Sequence, residues 1–433
     1  MEYKFNDEKR CKQSQFKFKV AYNYRDLENL IFDNKKISQG TLNTLNYMFY
    51  KMKNGIFVSI KNNKIFLFVP FSNENYVNEW SHLVKLNNKY KNYTNYVNKK
   101  IKIHNIKNRK YYEIENNKTK WSLTGCLLRH EKEHKPNPTY WSELYDIIKE
   151  TCLNKKIKDI DFFINKKDIP ILKRDLTEPL DKIWGKIPLI SHKYKQYAPI
   201  LSQSTTEKYF DKAMVNSDDW DLITQKYFVP ICKNNYIQKL NYIKWKDRKA
   251  TAIFRGSATG CGMTTDDNQR LKISKLDYEW DNDLLDAGIT RFIKRSKITK
   301  NGIDFIYPNN FNFKLKPFMS LNEQLQYKYI INIEGNAAAY RLSNLLRMKS
   351  VILDVESEYY VWFKSLMKPM VHYIPIKSDL SDLKEKILWC RKNDLKCKKI
   401  AENSYKFYKK YITKEYVYKY MSNLLNKLDV ITV

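Results

Sequence analysis

From Trp121 onward the apolar positions of this chain switch repeatedly between two periods, and the switching predicts α/β units. Trp141, Leu144, Tyr145, Ile148 and Cys152 recur at helical spacing, and Ile160 to Ile164 then form a short apolar run suited to a buried strand. A second set starts at the β-rich Ala250 to Phe254 and continues through Tyr329 to Ile333, the helix-like Ala337 to Met348, and Ser350 to Leu353. Strands and helices in alternation build largely parallel sheets covered by helices. The tail reads as helix: Ser381 can cap a run through Cys390, and Ile400, Tyr405, Tyr408 and Tyr411 extend the helical spacing. Upstream the pattern differs. Gly55 to Ile60 and Ile65 to Val69 flank the turn-rich Lys61-Asn62-Asn63-Lys64, which predicts a β-hairpin, whereas Lys85 to Lys120 is rich in Asn, Lys and Tyr without periodicity. Residues 1–115 are therefore expected to form an N-terminal extension with a small fold of its own.

Composition changes this picture in two places. A chain of 433 residues exceeds what one core usually serves, so two domains plus the extension are expected. The net charge of +32 would suit nucleic acid, an anionic surface or an anionic substrate. The lysines are spread over every segment and mixed with Asn, Ile and Tyr, which favours a general coding bias over a dedicated polyanion groove and leaves nucleic acid the less favoured partner. The 7 cysteines show no CxxC pair and read as reduced thiols. Met1 to Arg10 is polar, and the longest apolar run, Ile65 to Phe71, is too short to span a bilayer. A cytoplasmic protein without a signal peptide or membrane span is expected.

Three segments carry candidate chemistry. In Phe254-Arg255-Gly256-Ser257-Ala258-Thr259-Gly260-Cys261-Gly262 a β-rich run enters a glycine turn with hydroxyls at Ser257 and Thr259. Such a turn exposes backbone N–H groups to a diphosphate, and Arg255 offers a planar charged fork; the plain alternative is a glycine turn with an incidental arginine. In Tyr329 to Arg341 an apolar strand ends at Glu334 and Gly335, and the small residues after them are expected to open a helix whose N-terminus faces an anion, with Arg341 in its second turn. The alternative is a surface arginine behind a stretch of small residues that lets helix pack on sheet. In Phe162 to Pro170 a buried strand delivers Asp168 just past its carboxyl end, where a carboxylate can serve as general base or simply open a turn before Pro170.

Two motifs are decoys. His130-Glu131-Lys132-Glu133-His134 has the zinc-protease spacing, but Pro136 and Pro138 follow at once and a sustained helix is needed. Asp159-Ile160-Asp161 and Asp281-Asn282-Asp283 imitate a metal-binding DxD; the first alternates through a predicted strand and the second lies in a polar connection. No metal site is expected.

Taken together, Asn165 to Pro170, Arg255-Gly256-Ser257, Tyr327 to Arg341 and Lys368 to Leu383 resemble the Rumi-type protein O-glucosyltransferases and the related capsule-associated and lipopolysaccharide-modifying enzymes of glycosyltransferase family 90, over roughly Trp121 to Leu425. The resemblance implies an α/β fold of the GT-B type, two Rossmann-like domains facing a cleft. The first would span 116–245 and be rejoined by C-terminal helices of 385–433; the second would span 246–384. It also implies inverting transfer of glucose or xylose from a UDP-sugar to a hydroxyl of a protein or glycan, with no metal and no cofactor besides the donor. Asp168 matches the base. Arg255 and Arg341 match the arginines on the diphosphate, Asn336, Ala337, Ala338, Ala339 and Tyr340 match the donor-binding stretch, and Gly256, Ser257, Thr259, Gly260, Glu334 and Gly335 complete the expected donor site. The lack of a signal peptide, retention tail and paired cysteines, with the Lys/Asn/Ile/Tyr bias, is similar to homologues from large DNA viruses or from A/T-rich protists. The competing expectation is a polyanion-binding protein on a degenerate transferase fold.

Overall fold

The computed structural model describes residues 18–52, 54–73, 101–106, 109–114, 138–176, 194–225, 240–260, 262–280, 283–292, 297–299, 302–304 and 306–433. The chain divides into two compact units, one of residues 1–214, 298–304 and 418–433, the other of 215–297 and 305–417.

In the first unit, helices α1 (Tyr24–Ile31) and α2 (Gln39–Asn46) are each started by a capping side chain, Asn23 accepting from the Asp26 amide and Ser38 from the Thr41 amide. The predicted hairpin forms from β1 (Asn54–Lys61) and β2 (Lys64–Ser72). Asn62 and Asn63 both take positive φ, 49° and 59°, the backbone a two-residue turn of matching twist requires. The Asn63 side chain then ties this turn to helix α3 (Pro138–Asn154), donating to the Cys152 carbonyl at 2.7 Å and accepting from the Ile157 amide at 2.7 Å.

The hairpin does not fold apart as an extension. Gly55 to Ile60 are all buried, so β1 is an internal strand, and its second edge pairs antiparallel with β3 (Ile160–Ile164), Phe57 opposite Phe163. Parallel strands β4 (Ile200–Ser202) and β5 (Lys212–Ala213) complete one sheet in the order β2-β1-β3-β4-β5. Leu27, Ile31, Phe49, Phe57, Phe71, Phe163 and Ile200 share one buried cluster, so the amino-terminal segment supplies core that β3 needs. Both acids of the first DxD decoy have structural partners: Asp159 accepts from the Asn62 amide at 2.8 Å and Asp161 pairs with Lys35.

The second unit holds a five-stranded, wholly parallel sheet in the order β7-β6-β8-β9-β10, made of β6 (Lys249–Ser257), β7 (Leu285–Arg291), β8 (Tyr327–Asn332), β9 (Val351–Val355) and β10 (Ile374–Ile376). Parallel strands covered on both faces read as unbroken apolar runs, and β9 is buried along its whole length. Between β6 and β7 runs α5 (Gln269–Trp280), after α4 (Ser217–Thr224) earlier in the chain. Leu383, Ile387 and Cys390 of α7 (Leu383–Lys392), following the short α6 (Leu342–Leu346), join Cys397, Ile400 and Ala401 of α8 (Asp394–Tyr411) in the core that also holds Phe254, Ile331 and Leu353.

The expected boundaries shift accordingly. The division falls after Met214 rather than near 245, and α7 and α8 stay with the second sheet because their apolar faces complete its core. Of the carboxyl-terminal residues 385–433, only 418–433, from within α9 (Lys414–Lys427) onward, belong to the first unit, where Tyr420 donates to the Ala213 carbonyl at 2.6 Å and Ile431 pairs with Tyr197. Among the described residues no helix is long and apolar enough to cross a membrane.

Candidate active site

In the parallel sheet β6 leads through α5 to β7 on one side, whereas β8 leads through α6 to β9 on the other. The carboxyl ends of β6 and β8 are therefore neighbours where the strand order reverses, which is where open α/β sheets bind ligands. The two glycine-bearing segments emerge there side by side. The Gly260 amide donates to Asn336 Oδ1 at 3.1 Å, and Gly260 holds φ +112°, closed to most side chains. A Cβ on Gly335 would come within 3.1 Å of Thr259 Oγ1, so the close approach of the two turns favours glycine at that position.

A residue not singled out in the sequence holds the pair together. Asn268 Oδ1 accepts from the Arg270 amide at 3.0 Å and so opens α5, putting Arg270 in its first turn. The Arg270 guanidinium then reaches both segments. Its Nη1 donates to the Ser257 carbonyl at 3.1 Å and Thr259 Oγ1 at 2.7 Å, Nη2 to the Ile333 carbonyl at 3.0 Å, and Nε to the Glu334 carbonyl at 2.6 Å. One planar fork thus fixes the spacing of two loops. Exposed Arg291, at the end of β7, donates from Nε to Ser257 Oγ at 2.9 Å and brings a further charge to the same turn.

The two arginines singled out in the sequence are engaged inside the protein. Arg255 is only 7% exposed; its Nη2 meets Asp286 Oδ1 at 2.8 Å, Nη1 the carbonyls of Asp286 and Phe254 at 2.8 and 3.0 Å, and Nε the Pro317 carbonyl at 3.2 Å. Burial would raise Asp286, but hydrogen bonds from Lys316, Tyr327 and Arg255 outweigh it and hold the carboxyl at about 2. Arg341 spans the two strand ends, with Nη1 on the Arg255 carbonyl at 2.9 Å, Nη2 on the Ile331 carbonyl at 2.6 Å, and its guanidinium 5.1 Å from the Phe254 ring. The expected helix over 337–348 is shorter, beginning only at Leu342 and spanning five residues. Asn336 is drawn to Gly260 and the Gly335 amide turns back onto the Ala337 carbonyl at 3.2 Å, so Ala337 to Ala339 remain loop and Arg341 stands immediately before the helix.

Glu334 and Tyr340 are half-buried at this edge. Ser357 donates to Glu334 Oε1, and burial followed by the negative charges of Asp354 and Glu358 pushes the Glu334 carboxyl up to about 8 against the opposing pull of Arg270 and Lys364.

In the first unit, Asp168 lies just beyond the carboxyl end of β3 and is exposed. Buried side chains below it hold the loop. Asn165 Oδ1 accepts from the Lys167 amide at 2.9 Å, while its Nδ2 donates to the Ile169 carbonyl at 2.7 Å and Ser202 Oγ at 3.0 Å. Ser204 Oγ donates to the Asp168 carbonyl at 2.9 Å. Asp211, 2% exposed, accepts from the Ile171 and Leu172 amides at 2.9 and 2.8 Å and from Ser202 Oγ at 2.6 Å. Burial lifts Asp211 to about 6 although those three bonds favour its charged form. Lys166 stands 4.4 Å from the Trp141 ring, and burial first and Lys167 second lower its ammonium to about 7.

Residues 142–429 match the model of Glycosyl transferase family 90. The chain belongs to that family. It is 36% identical over 397 residues to Uncharacterized protein 035R of Invertebrate iridescent virus 3, covering 89% of this chain and 36% of that protein. It is 28% identical over 277 residues to Protein O-glucosyltransferase 2 of Danio rerio, covering 64% of this chain and 48% of that protein. With Protein O-glucosyltransferase 3 of Homo sapiens the identity is 32% over 183 residues, 42% of this chain and 32% of that protein. The chain thus spans roughly a third to a half of the length of these relatives.

The family 90 match covers Asp168, both glycine-bearing segments and the pinning residues Asn165, Asp211 and Arg270. Arg270 follows six polar residues, Thr264 to Gln269, in a connection without periodicity, so its reach to four acceptors left no trace in the sequence. A faint signal existed for the loop beneath Asp168, since Asn165 sits at the end of a buried strand, where Asn commonly closes a local turn. The zinc-like His130 to His134 run, and Asp281 and Asn282 of the second DxD decoy, lie outside the described residues; Asp283 accepts from Arg391 at 3.0 Å. Among the described residues no group of three or more His, Cys, Asp or Glu could hold a metal ion.

Proposed function

We propose that this chain is a UDP-sugar-dependent glycosyltransferase of the GT-B type, moving glucose or xylose to a hydroxyl of a protein or glycan with inversion and without a metal. The observation that carries the donor side is the pair of turns joined by Gly260, Asn336 and Arg270 at the strand-order reversal. The positive field there of Arg255, Arg270, Arg291 and Arg341 suits a diphosphate. The geometry changes how the arginines act. Arg255 and Arg341 spend their donors on carbonyls and Asp286, so they contribute charge and shape, and the exposed Arg291 is the arginine with open access to an anion.

For the acceptor side, Asp168 is an exposed carboxylate on a loop held from below, as a general base requires: fixed in position and open to a substrate hydroxyl. It takes the proton as the acceptor oxygen bonds to the anomeric carbon and the carbon–oxygen bond to UDP breaks. Charge growing on the departing diphosphate falls in the field of the arginines. Family membership and the named O-glucosyltransferase relatives support the sugar chemistry.

The test is a donor screen on the purified chain, measuring melting temperature with UDP and hydrolysis of UDP-glucose, UDP-xylose, UDP-galactose and UDP-N-acetylglucosamine. A UDP-induced rise in melting temperature with turnover of UDP-glucose or UDP-xylose is the expected result. Steeply salt-dependent DNA or RNA binding without any UDP effect would replace this reading with polyanion binding.

A further inference from the structure

The strand-order reversal is flanked by charges of opposite sign. On the β6 and β7 side stand Arg270 and Arg291 around Ser257 and Thr259. On the β8 and β9 side stand Glu334, Asp354 and Glu358, with Lys364 paired to Asp354. A diphosphate is welcome on the first side and repelled on the second.

A further observation marks the acidic side as a place for a ligand. Asn332, at the end of β8, is 7% exposed, and its Nδ2 donates to Asp354 Oδ1 at 2.7 Å. Its Oδ1 is buried and has no hydrogen-bond partner among the described residues. A buried amide oxygen without a partner is costly, and a hydroxyl donor from a bound molecule would relieve it.

We propose that Glu334, with Asn332 and Asp354 behind it, binds the hydroxyls of the donor's sugar ring and sets which sugar the enzyme accepts. The inference rests on the donor reading above and extends it from the diphosphate to the sugar. The groups facing Glu334 are Asp354 on β9, Glu358 and Ser357 in the loop after it, Lys364 beyond that loop, and Arg270 on α5. Burial first, and then the charges of Asp354 and Glu358, outweigh the pull of Arg270 and Lys364, so the Glu334 carboxyl keeps its proton at neutral pH. A neutral carboxyl donates one hydrogen bond and accepts others, which matches neighbouring sugar hydroxyls. Once ionised it loses the donor and repels the diphosphate nearby.

The experiment compares wild type, Glu334→Gln and Glu334→Ala in the full chain, with circular dichroism as the folding control. UDP affinity is measured by calorimetry and KM for UDP-glucose by turnover between pH 6 and pH 9. We expect Glu334→Ala to raise KM for UDP-glucose about tenfold while UDP affinity stays within about twofold. Glu334→Gln recovers part of that loss, because its amide also donates and accepts. Wild-type KM climbs as pH passes about 8, and this climb is missing in Glu334→Gln. The inference is overturned if Glu334→Ala leaves KM for UDP-glucose unchanged, or weakens UDP itself as much as UDP-glucose. A wild-type chain that binds neither UDP nor UDP-glucose overturns the donor reading and this inference with it, a pattern distinct from turnover with an unchanged KM.

Discussion

The Asp168 loop and the paired turns beside β6 and β8 handle the same task in opposite ways. At Asp168 the candidate functional side chain is exposed, and buried neutral or acidic groups, Asn165, Ser202, Ser204 and Asp211, hold the backbone beneath it. At the paired turns the conspicuous side chains are the holders: Arg255, Arg270 and Arg341 fix the carbonyls that set the two turns side by side. A motif residue can thus act by contact or by support, and burial distinguishes the two.

The comparison makes predictions that separate rate from stability. The largest effect is expected from Asp168→Asn, which should lower kcat by about a hundredfold to ten-thousandfold with an unchanged melting temperature, because an exposed side chain is replaced above an intact loop. Full turnover in that variant would remove the base assignment. Arg255→Ala should do the reverse. Stranding Asp286 against Lys316 and Tyr327 alone should cost about 3 kcal/mol in urea unfolding, while turnover per folded molecule should fall only a few-fold, since Arg255 contributes charge but spends its donors inside the protein. A stable but inactive Arg255→Ala would return this arginine to the diphosphate.

Asp211→Asn should cost about 1–3 kcal/mol, since an amide cannot accept from Ile171, Leu172 and Ser202 as well as a carboxylate can. Its pH signature has a definite sign. The folded carboxyl is raised from 3.8 to about 6, so the folded state holds the extra proton across that window. Wild-type stability from this group is fully present below about pH 4 and is lost as pH rises through about 6; Asp211→Asn should flatten that segment of the stability curve. The smallest effect is expected from Ser204→Ala, about 1 kcal/mol from one lost hydrogen bond, accompanied by a drop of a few-fold in kcat as the Asp168 carbonyl loosens. Equal losses of kcat and stability at Asp168 and Ser204 would erase the distinction between contact and support.

Much of the fold was legible before the structure. The hairpin about Asn62-Asn63, the strand at Ile160 to Ile164, the strands at Ala250 to Phe254, Tyr329 to Ile333 and Ser350 to Leu353, and the helical tail all follow from local periodicity. The helix expected over Ala337 to Met348 did not survive, because Asn336 and Arg341 make bonds to β6 and its turn that no local rule anticipates. The extension expected over 1–115 failed similarly, since β1 is completed by β3, about a hundred residues away in the chain.

By itself the sequence determined where strands end, which turns carry glycine and which carboxylate follows a buried strand, because these depend on neighbours a few residues apart. Only the tertiary structure decided that Gly260 meets Asn336, that Arg270 clamps both turns, that Arg255 is spent on Asp286, and that Glu334 shares an acidic side with Asp354. Those outcomes depend on which strands become neighbours. A side chain with several donors is committed only when the acceptors it will meet have been brought within about 3 Å of it.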